Sequence, residues 1–499
     1  MRTWILSLIG LAASGCTGKT PPESAEAPPA QSVAPHIVVM IADDLGLDWA
    51  PCHGGGEDMP FLQSRCNTSR VYTRTYTHPY CTASRAAMMT GLHTARTGAN
   101  DVDFAARKLT AAHVLIPEAA RTGGSAHRFS GFGKWHLSGH DGGFEGPTQQ
   151  GFDHHAGNPR QHDLYRFFDY DWHVNGEARD RVEGEYKTTR IVDAALRDFS
   201  DHAPKGPQFQ WIGFVSPHIP YHVPPDALHD VEGLPPAGTE IRPTRTDPPE
   251  PGRFLINRPS DDMVPYFKAM LQALDAEIGR LVTTIEASTD RPVVFVFLGD
   301  NGTANEVFRG PQPPQPTYRA KATVFEGGAR VPLMIWSSHG DGPLVPPGQD
   351  DRLTHLGDLF PTLVTLSGAS EAGSPDMQSL LPFGDSPGHD VVYLERGHDR
   401  RLPYAFAAVD RNGLKIILRE QGRPDHLGAD GAVALYQTLT DPAEADNLFP
   451  DRLCAHREAL PPLLDQIVYA NANSDYSRFD RETFQPLLDA ALETCETSP

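Results

Sequence analysis

After its first fifteen residues the sequence has no run of the ~20 apolar residues that a membrane-spanning helix needs, so no later segment is expected to cross a bilayer. It is also short of positive charge. Against 64 Asp and Glu stand 43 Lys and Arg, a formal charge of −21, which excludes general affinity for nucleic acid or for anionic lipid headgroups. An anionic substrate would need a local cationic pocket. Cysteine is scarce, at 6 in 499 residues, and no internal repeat is present. Apolar residues make up 39%, enough for one large α/β domain and a smaller one, which excludes disorder of the whole chain.

The chain starts Met1-Arg2, continues with an apolar run over residues 4–13 and reaches Ser14-Gly15-Cys16. That run is too short to span a bilayer and reads as an export signal over residues 1–15. Its end resembles a bacterial lipobox, with Ala13 where Leu is usual. The resemblance implies cleavage before Cys16, a lipid on its thiol, and a periplasmic or cell-surface protein that meets the membrane only through that anchor. The alternative is an ordinary signal peptide with an incidental cysteine. Residues 16–35, rich in Pro, Ala, Glu and Ser, suit a flexible tether. Apart from Cys16 and Cys81, an even set remains, Cys52, Cys66, Cys454 and Cys495, which export would oxidise. Of three pairings, Cys52 with Cys66 and Cys454 with Cys495 are favoured because each closes a local loop.

Residues 36–42 (HIVVMIA) form a near-continuous β-branched run, expected of a strand buried on both faces of a parallel sheet. It ends at Asp43-Asp44. A second run, 292–298, ends at Gly299-Asp300-Asn301-Gly302, and a third, 208–215, at Ser216-Pro217-His218. Sites in open α/β sheets lie beyond the carboxyl ends of strands, so these termini can meet although they are distant in sequence. Helical spacing over residues 85–92, 188–199 and 265–285 supports alternation of strands and helices. Pro-rich stretches at 223–251 and 310–316 read as surface loops. Loops over about 151–185 and 217–258, with their Trp, Tyr and His, are expected to shape a leaving-group pocket. Following a helix at 358–368, strand-like pieces at 391–394, 404–409 and 414–418 indicate a smaller α+β portion. The expected division is a catalytic domain over 36–370 and a C-terminal subdomain over 371–499.

Asp43, Asp44, Asp300 and Asn301 offer only hard oxygen ligands, suited to calcium or magnesium rather than zinc. Either pair alone is more often a turn or a cap. At the ends of two buried strands, the pairs together point to one metal site. Cys81 stands at the start of a helical pattern, where exposed amides favour an anion and a lowered thiol pKa. A buried cysteine beside a capping Ser84 fits the local features as well.

Residues 81–91 read CTASRAAMMTG. They resemble the signature of the sulfatase family, in which Cys, any residue, Pro or Ala, Ser and Arg are followed after two residues by two large apolar residues, Thr and Gly. ADDLG at 42–46, GKWHL at 133–137, GFD at 151–153, PHIP at 217–220, GDNG at 299–302 and KATVFEGGARVP at 321–332 follow the family's order. The resemblance covers 36–370 and extends weakly through 435–448. Ala83 departs from the commoner Pro. It implies an alkaline phosphatase-like fold, a large mixed, mostly parallel sheet sandwiched by helices, with a smaller C-terminal part containing an antiparallel sheet.

The resemblance further implies hydrolysis of a sulfate monoester through 3-oxoalanine (formylglycine), made from Cys81 by a formylglycine-generating enzyme acting on the unfolded chain. A thiolate attacking sulfur would leave a stable thiosulfate, whereas a hydrated aldehyde offers one hydroxyl to attack and another to expel sulfate. One calcium ion, or magnesium, would be held by Asp43, Asp44, Asp300 and Asn301 with the converted Cys81. Arg85 would fix the hydrate, and Lys134 and Lys321 would hold sulfate charge. His136 would take the proton as the hydrate collapses, and His218, with Lys321, would protonate the leaving alcohol. Among 22 histidines an arbitrary one is structural, and only motif position singles these out. His53, His154, His155, His162, His173 and His222 read as rim or solvated-loop residues. Glu326 and Arg330 read as a structural ion pair, with Gly327-Gly328 allowing positive φ. The partner would be a sulfated small molecule or sulfated glycan. Two other readings stand beside this one: a phosphoester or phosphonate hydrolase on the same fold, and a non-catalytic lipoprotein that binds sulfated glycans.

Overall fold

His36–Ala42, buried at all seven positions, lies within a ten-stranded sheet, as its unbroken apolar run predicts. The computed structural model describes residues 33–497 apart from 100–108, 111, 139–145, 159–165, 243–262, 312–318, 340–343, 371–372, 398–403, 421–431, 473–478 and 480. The signal peptide, Cys16, nearly all of the tether and His162 lie outside the described residues. In spatial order the strands are Gly348–Asp350, Arg70–Tyr72, Leu333–Ser338, Val293–Gly299, His36–Ala42, Gln208–Gly213, Arg128–Lys134, His154–Asn158, Asp169–Val174 and Glu177–Glu183. From Val293–Gly299 to His154–Asn158 neighbouring strands run parallel. Antiparallel partners join on either side.

The period-two alternation of a strand divides this sheet between two apolar layers. Val38, Met40 and Ala42 pack with Ile191 and Phe199 of the helix Lys187–His202 and with Phe267, Leu274 and Ile278 of Val264–Ser288. Ile37, Val39 and Ile41 face Met88 and Met89 of Cys81–Thr90, Ile116 of Ile116–Thr122 and Leu363 of Leu359–Leu366. At ~1.5–3 kcal/mol for each large side chain, these burials come to on the order of 10 kcal/mol gross for this one strand. That anchors the register of the strand, and with it the two aspartates that follow.

Val391–Arg396, Ala405–Asp410, Leu414–Arg419 and Val433–Gln437 make a separate antiparallel sheet. The first three match the strand patterns in the sequence; the fourth falls in a segment read only through resemblance. One face carries Phe406, Ile416 and Leu435 against Leu463 and Ile467 of Leu460–Asn471. The other packs Leu394, Ala407 and Tyr436 against Tyr76 and Phe325. Lys415, fully buried, bonds Glu326 at 3.1 Å and Glu444 at 2.9 Å, which ties the small sheet to the helix Glu326–Ala329.

Residues 151–185 correct the expectation of pocket-forming loops: much of the segment is strand. Asn175 (φ 51°) and Gly176 (φ 89°) turn the last two strands into a hairpin, a residue pair that favours this left-handed turn. The expected bond between Cys52 and Cys66 is present, closing a separation of 14 residues. Cys454 is also disulfide-bonded, while the side chain of Cys495 lies outside the described residues.

Candidate active site

The register of the parallel strands sets Ala42 beside Gly299. Asp43-Asp44 and Asp300-Asn301 therefore leave the sheet side by side, 256 residues apart for Asp44 and Asp300, whose N–H and Oδ1 are 3.2 Å apart. The helix Cys81–Thr90 starts at Cys81 itself. Its Sγ lies 3.1 Å from Asp43 Oδ1 and 3.8 Å from Asp44 Oδ1. Donor atoms of Asp43, Asp44, Cys81 and Asp300 all fall within 4.8 Å of one another, and all four residues are buried.

Three cations close around this cluster. Lys134, from the end of Arg128–Lys134, pairs with Asp43 Oδ2. Lys321 lies 2.5 Å from Asp44 Oδ1 and 3.7 Å from Cys81 Sγ. Arg85, one helical turn beyond Cys81, is 2.8 Å from Asp300 Oδ2, with both side chains wholly buried. Its Nη1 also donates to the Lys134 carbonyl at 2.9 Å. Arg85 thus ties the helix to one metal-candidate carboxylate and to the lysine strand, while its buried Nη2 has no hydrogen-bond partner among the described residues.

Burial would raise the Asp43 carboxyl, but Lys134, His218, Arg85 and Lys321 hold it well below the ordinary range. Burial, reinforced by Asp43, pushes Asp300 up to about 6. Burial would also lower the Lys134 ammonium, yet Asp43 raises it above its usual value. The Cys81 thiol is pushed well up by burial and by Asp300 and Asp43. His136 is held well down by burial and by the Lys134 and Arg85 charges, and is therefore neutral. Its Nδ1 has no hydrogen-bond partner among the described residues. His218 is lowered by burial in spite of Asp44, whose Oδ2 is 3.5 Å from its Nε2. Its Nδ1 donates to the Ile219 carbonyl at 2.7 Å, which leaves Nε2 as the atom facing the cluster. Left-handed backbone at Asp44 (φ 67°), His136 (φ 65°) and Ala322 (φ 69°) concentrates strain at this site.

The donor set fits a hard divalent cation. Asn301 gives its Nδ2 to Asp44 Oδ1 at 2.8 Å, while its buried Oδ1 has no hydrogen-bond partner, an uncompensated oxygen beside three carboxylates. Thus every site residue read from the sequence comes to one place: Asp43, Asp44, Cys81, Arg85, Lys134, His136, His218, Asp300, Asn301 and Lys321.

Sequence reading missed how the glycines build this place. Gly327 and Gly328 lie outside the set of positive-φ glycines, so conformational freedom is not their reason. A Cβ on Gly328 would meet the carbonyl oxygens of Thr323 and Ala320, and one on Gly302 would meet that of Gly327. The metal-candidate loop and the Lys321 segment thus rest on each other backbone to backbone. Gly302→Ala is expected to cost about 1–3 kcal/mol through overpacking and to lower metal affinity together with stability, checked by urea unfolding and calcium titration. Glu326 and Arg330 do pair, at 3.4 Å, as expected of a structural contact.

Fold and site together define a member of the alkaline phosphatase-like class. Ps i-CgsB, solved in complex with k-i-k-neocarrahexaose, superposes with a TM-score of 0.66 at 19% identity, covering 92% of this chain and 98% of that one. A structure in complex with its substrate D-glucosamine-2-N,6-O-disulfate gives 0.67 at 17% identity, over 90% and 100%. The sulfatase family model matches residues 35–369, and the chain belongs to the sulfatase family. N-acetylgalactosamine-6-sulfatase of Mus musculus is 26% identical over 368 residues, which cover 67% of this chain but only 62% of that relative's length.

Proposed function

We propose that the protein hydrolyses a sulfate monoester on a sulfated glycan, using Cys81 converted to formylglycine and one calcium ion. The observation that carries this reading is the balance of charge at the strand ends. Asp43, Asp44 and Asp300 are matched by Lys134, Lys321 and Arg85. A divalent ion added to a neutral set leaves positive charge for a sulfate. Asp43, Asp44, Asp300 and Asn301 would hold the ion, or magnesium in its place, and its chemistry is to neutralise sulfate oxygens and acidify a hydroxyl. Formylglycine supplies a hydroxyl nucleophile with a built-in release step.

The chain's own residues divide the remaining work. Lys134 and Lys321 bind sulfate oxygens, and Arg85 orients the first turn of the helix that carries residue 81. His136 offers a neutral ring to take a proton, and His218, whose Nδ1 already donates to the Ile219 carbonyl, would deliver a proton to the leaving alcohol from Nε2 when the ring is charged. The two sugar-bound structures on the same fold support a glycan as the substrate class. Export, with a lipid at Cys16, belongs to the same proposal. Turnover of aryl sulfate is expected to exceed that of the matching aryl phosphate by roughly tenfold or more. The reverse preference would replace this reading with a phosphoester hydrolase.

A further inference from the structure

His78 and His93 stand three residues before and twelve residues after Cys81, His355 lies on the short strand Thr354–His355, and all three are buried. Their ring centroids are 5.1 to 5.9 Å apart, and one nitrogen of each lies within 4.8 Å of the others. Three such nitrogens could be taken for a transition-metal site. The hydrogen bonds argue otherwise. His78 Nδ1 accepts from the Glu395 N–H at 3.1 Å, and His355 Nδ1 accepts from the Gly357 N–H at 3.0 Å. An accepting Nδ1 puts the proton of a neutral ring on Nε2. A metal ligand has the opposite arrangement, with a bare nitrogen toward the ion and an N–H toward an acceptor. The Nε2 atoms of His78 and His355 therefore carry hydrogen, and neither has a hydrogen-bond partner among the described residues.

The same bonds decide what protonation does. A second proton can enter His78 or His355 only at Nδ1, where it would confront a backbone N–H. Charging either ring breaks its bond. We propose that His78, His93 and His355 form an acid-released latch, which holds the segment leading into Cys81 against the strand Val391–Arg396 while all three rings are neutral. The latch reaches the active site through short links. The Ser84 hydroxyl donates to the His78 carbonyl at 2.6 Å and accepts from Thr77 Oγ1 at 2.8 Å, so the first turn of the helix Cys81–Thr90 moves with His78.

The charged groups around the trio are engaged with one another. Arg96 pairs with Asp376, which also accepts from the His93 N–H. His389 pairs with Asp358, whose other oxygen takes the His355 N–H. Glu395 accepts from Thr94 and from the Tyr393 hydroxyl. Burial pushes His78 down to about 3 and lowers His93 and His355 well below 6.5, while Asp358 raises His389 against its own burial. The sign follows. Rings that stay neutral when closed and charge near 6.5 when open stabilise the closed form fully above that pH. Below it, each ring costs about a tenfold loss of closed population per pH unit.

Hydrogen exchange on the intact protein tests this, read at residues 77–90 and 391–396 and corrected for intrinsic rates, between about pH 5 and pH 7. The opening equilibrium of the wild type is expected to rise as pH falls, with a slope that grows toward about three protons near pH 5. In His355→Asn, where the amide oxygen can still accept from Gly357 but cannot charge, the slope falls by one and activity at neutral pH is kept. A wild-type slope below one overturns the latch, whether or not the variant folds. So does an unchanged slope in a folded variant, or a stoichiometric transition metal in the purified protein that the variant loses.

Discussion

Cys81→Ala is expected to abolish turnover of sulfate esters, by at least about 10⁴-fold, while leaving the fold and metal binding in place. The residue sits at the start of its helix, 3.1 Å from Asp43 and 3.7 Å from Lys321, where every neighbouring charge converges. Removing one buried sulfur leaves a small cavity and changes stability by no more than about 1–2 kcal/mol. The ten-stranded sheet does not depend on it. Mass spectrometry of the peptide that contains residue 81 gives the complementary result: the active protein should carry formylglycine there. An intact thiol in fully active protein, or activity kept by the alanine variant, would sink the mechanism.

Asp300→Asn should have the largest effect on stability, with a loss of about 3–5 kcal/mol in denaturant unfolding. Asp300 Oδ2 is the carboxylate partner of Arg85, and neither side chain has access to water. An amide in its place takes from the buried guanidinium its hydrogen-bonded carboxylate and leaves only the more distant Asp43 charge, and that desolvation cost is what the measurement reads. The substitution also loosens the bond from the Asp44 N–H to Asp300 Oδ1 and removes a ligand from the candidate metal set. Calcium content is therefore expected to fall alongside stability. Unfolding within about 1 kcal/mol of the wild type would mean that Arg85 finds other partners, and would remove its assigned role.

Much of the catalytic framework is legible in the sequence because buried parallel strands announce themselves. The runs at 36–42 and 292–298 are apolar on both faces, and each breaks into acidic residues where the sheet ends. The long helix Val264–Ser288 follows its apolar spacing to within three residues at either end. Other elements carry weaker marks. Asp169–Val174 and Glu177–Glu183 are largely polar and half-exposed, so hydrophobic pattern hides them, although Asn175-Gly176 between them is a hairpin signal. Gly302, Gly327 and Gly328 can be read as flexible until the backbone they touch is known. The histidine trio has no signal at all, since His78 and His355 are 277 residues apart and nothing in their spacing joins them.

By itself the sequence determined the chemical inventory: hard oxygen ligands after two buried strands, a cysteine opening a helix, and lysines and histidines in the family's order. Those assignments are local, because a strand's burial and a motif's order can be read one segment at a time. Only the tertiary structure decided which groups meet. Arg85 met Asp300 across 215 residues, and His78 took its hydrogen bond from Glu395 across 317 residues. The physical reason is that a buried charge or ring nitrogen is defined by the partner that compensates it. That partner is supplied by packing between distant segments, which no single stretch of sequence contains.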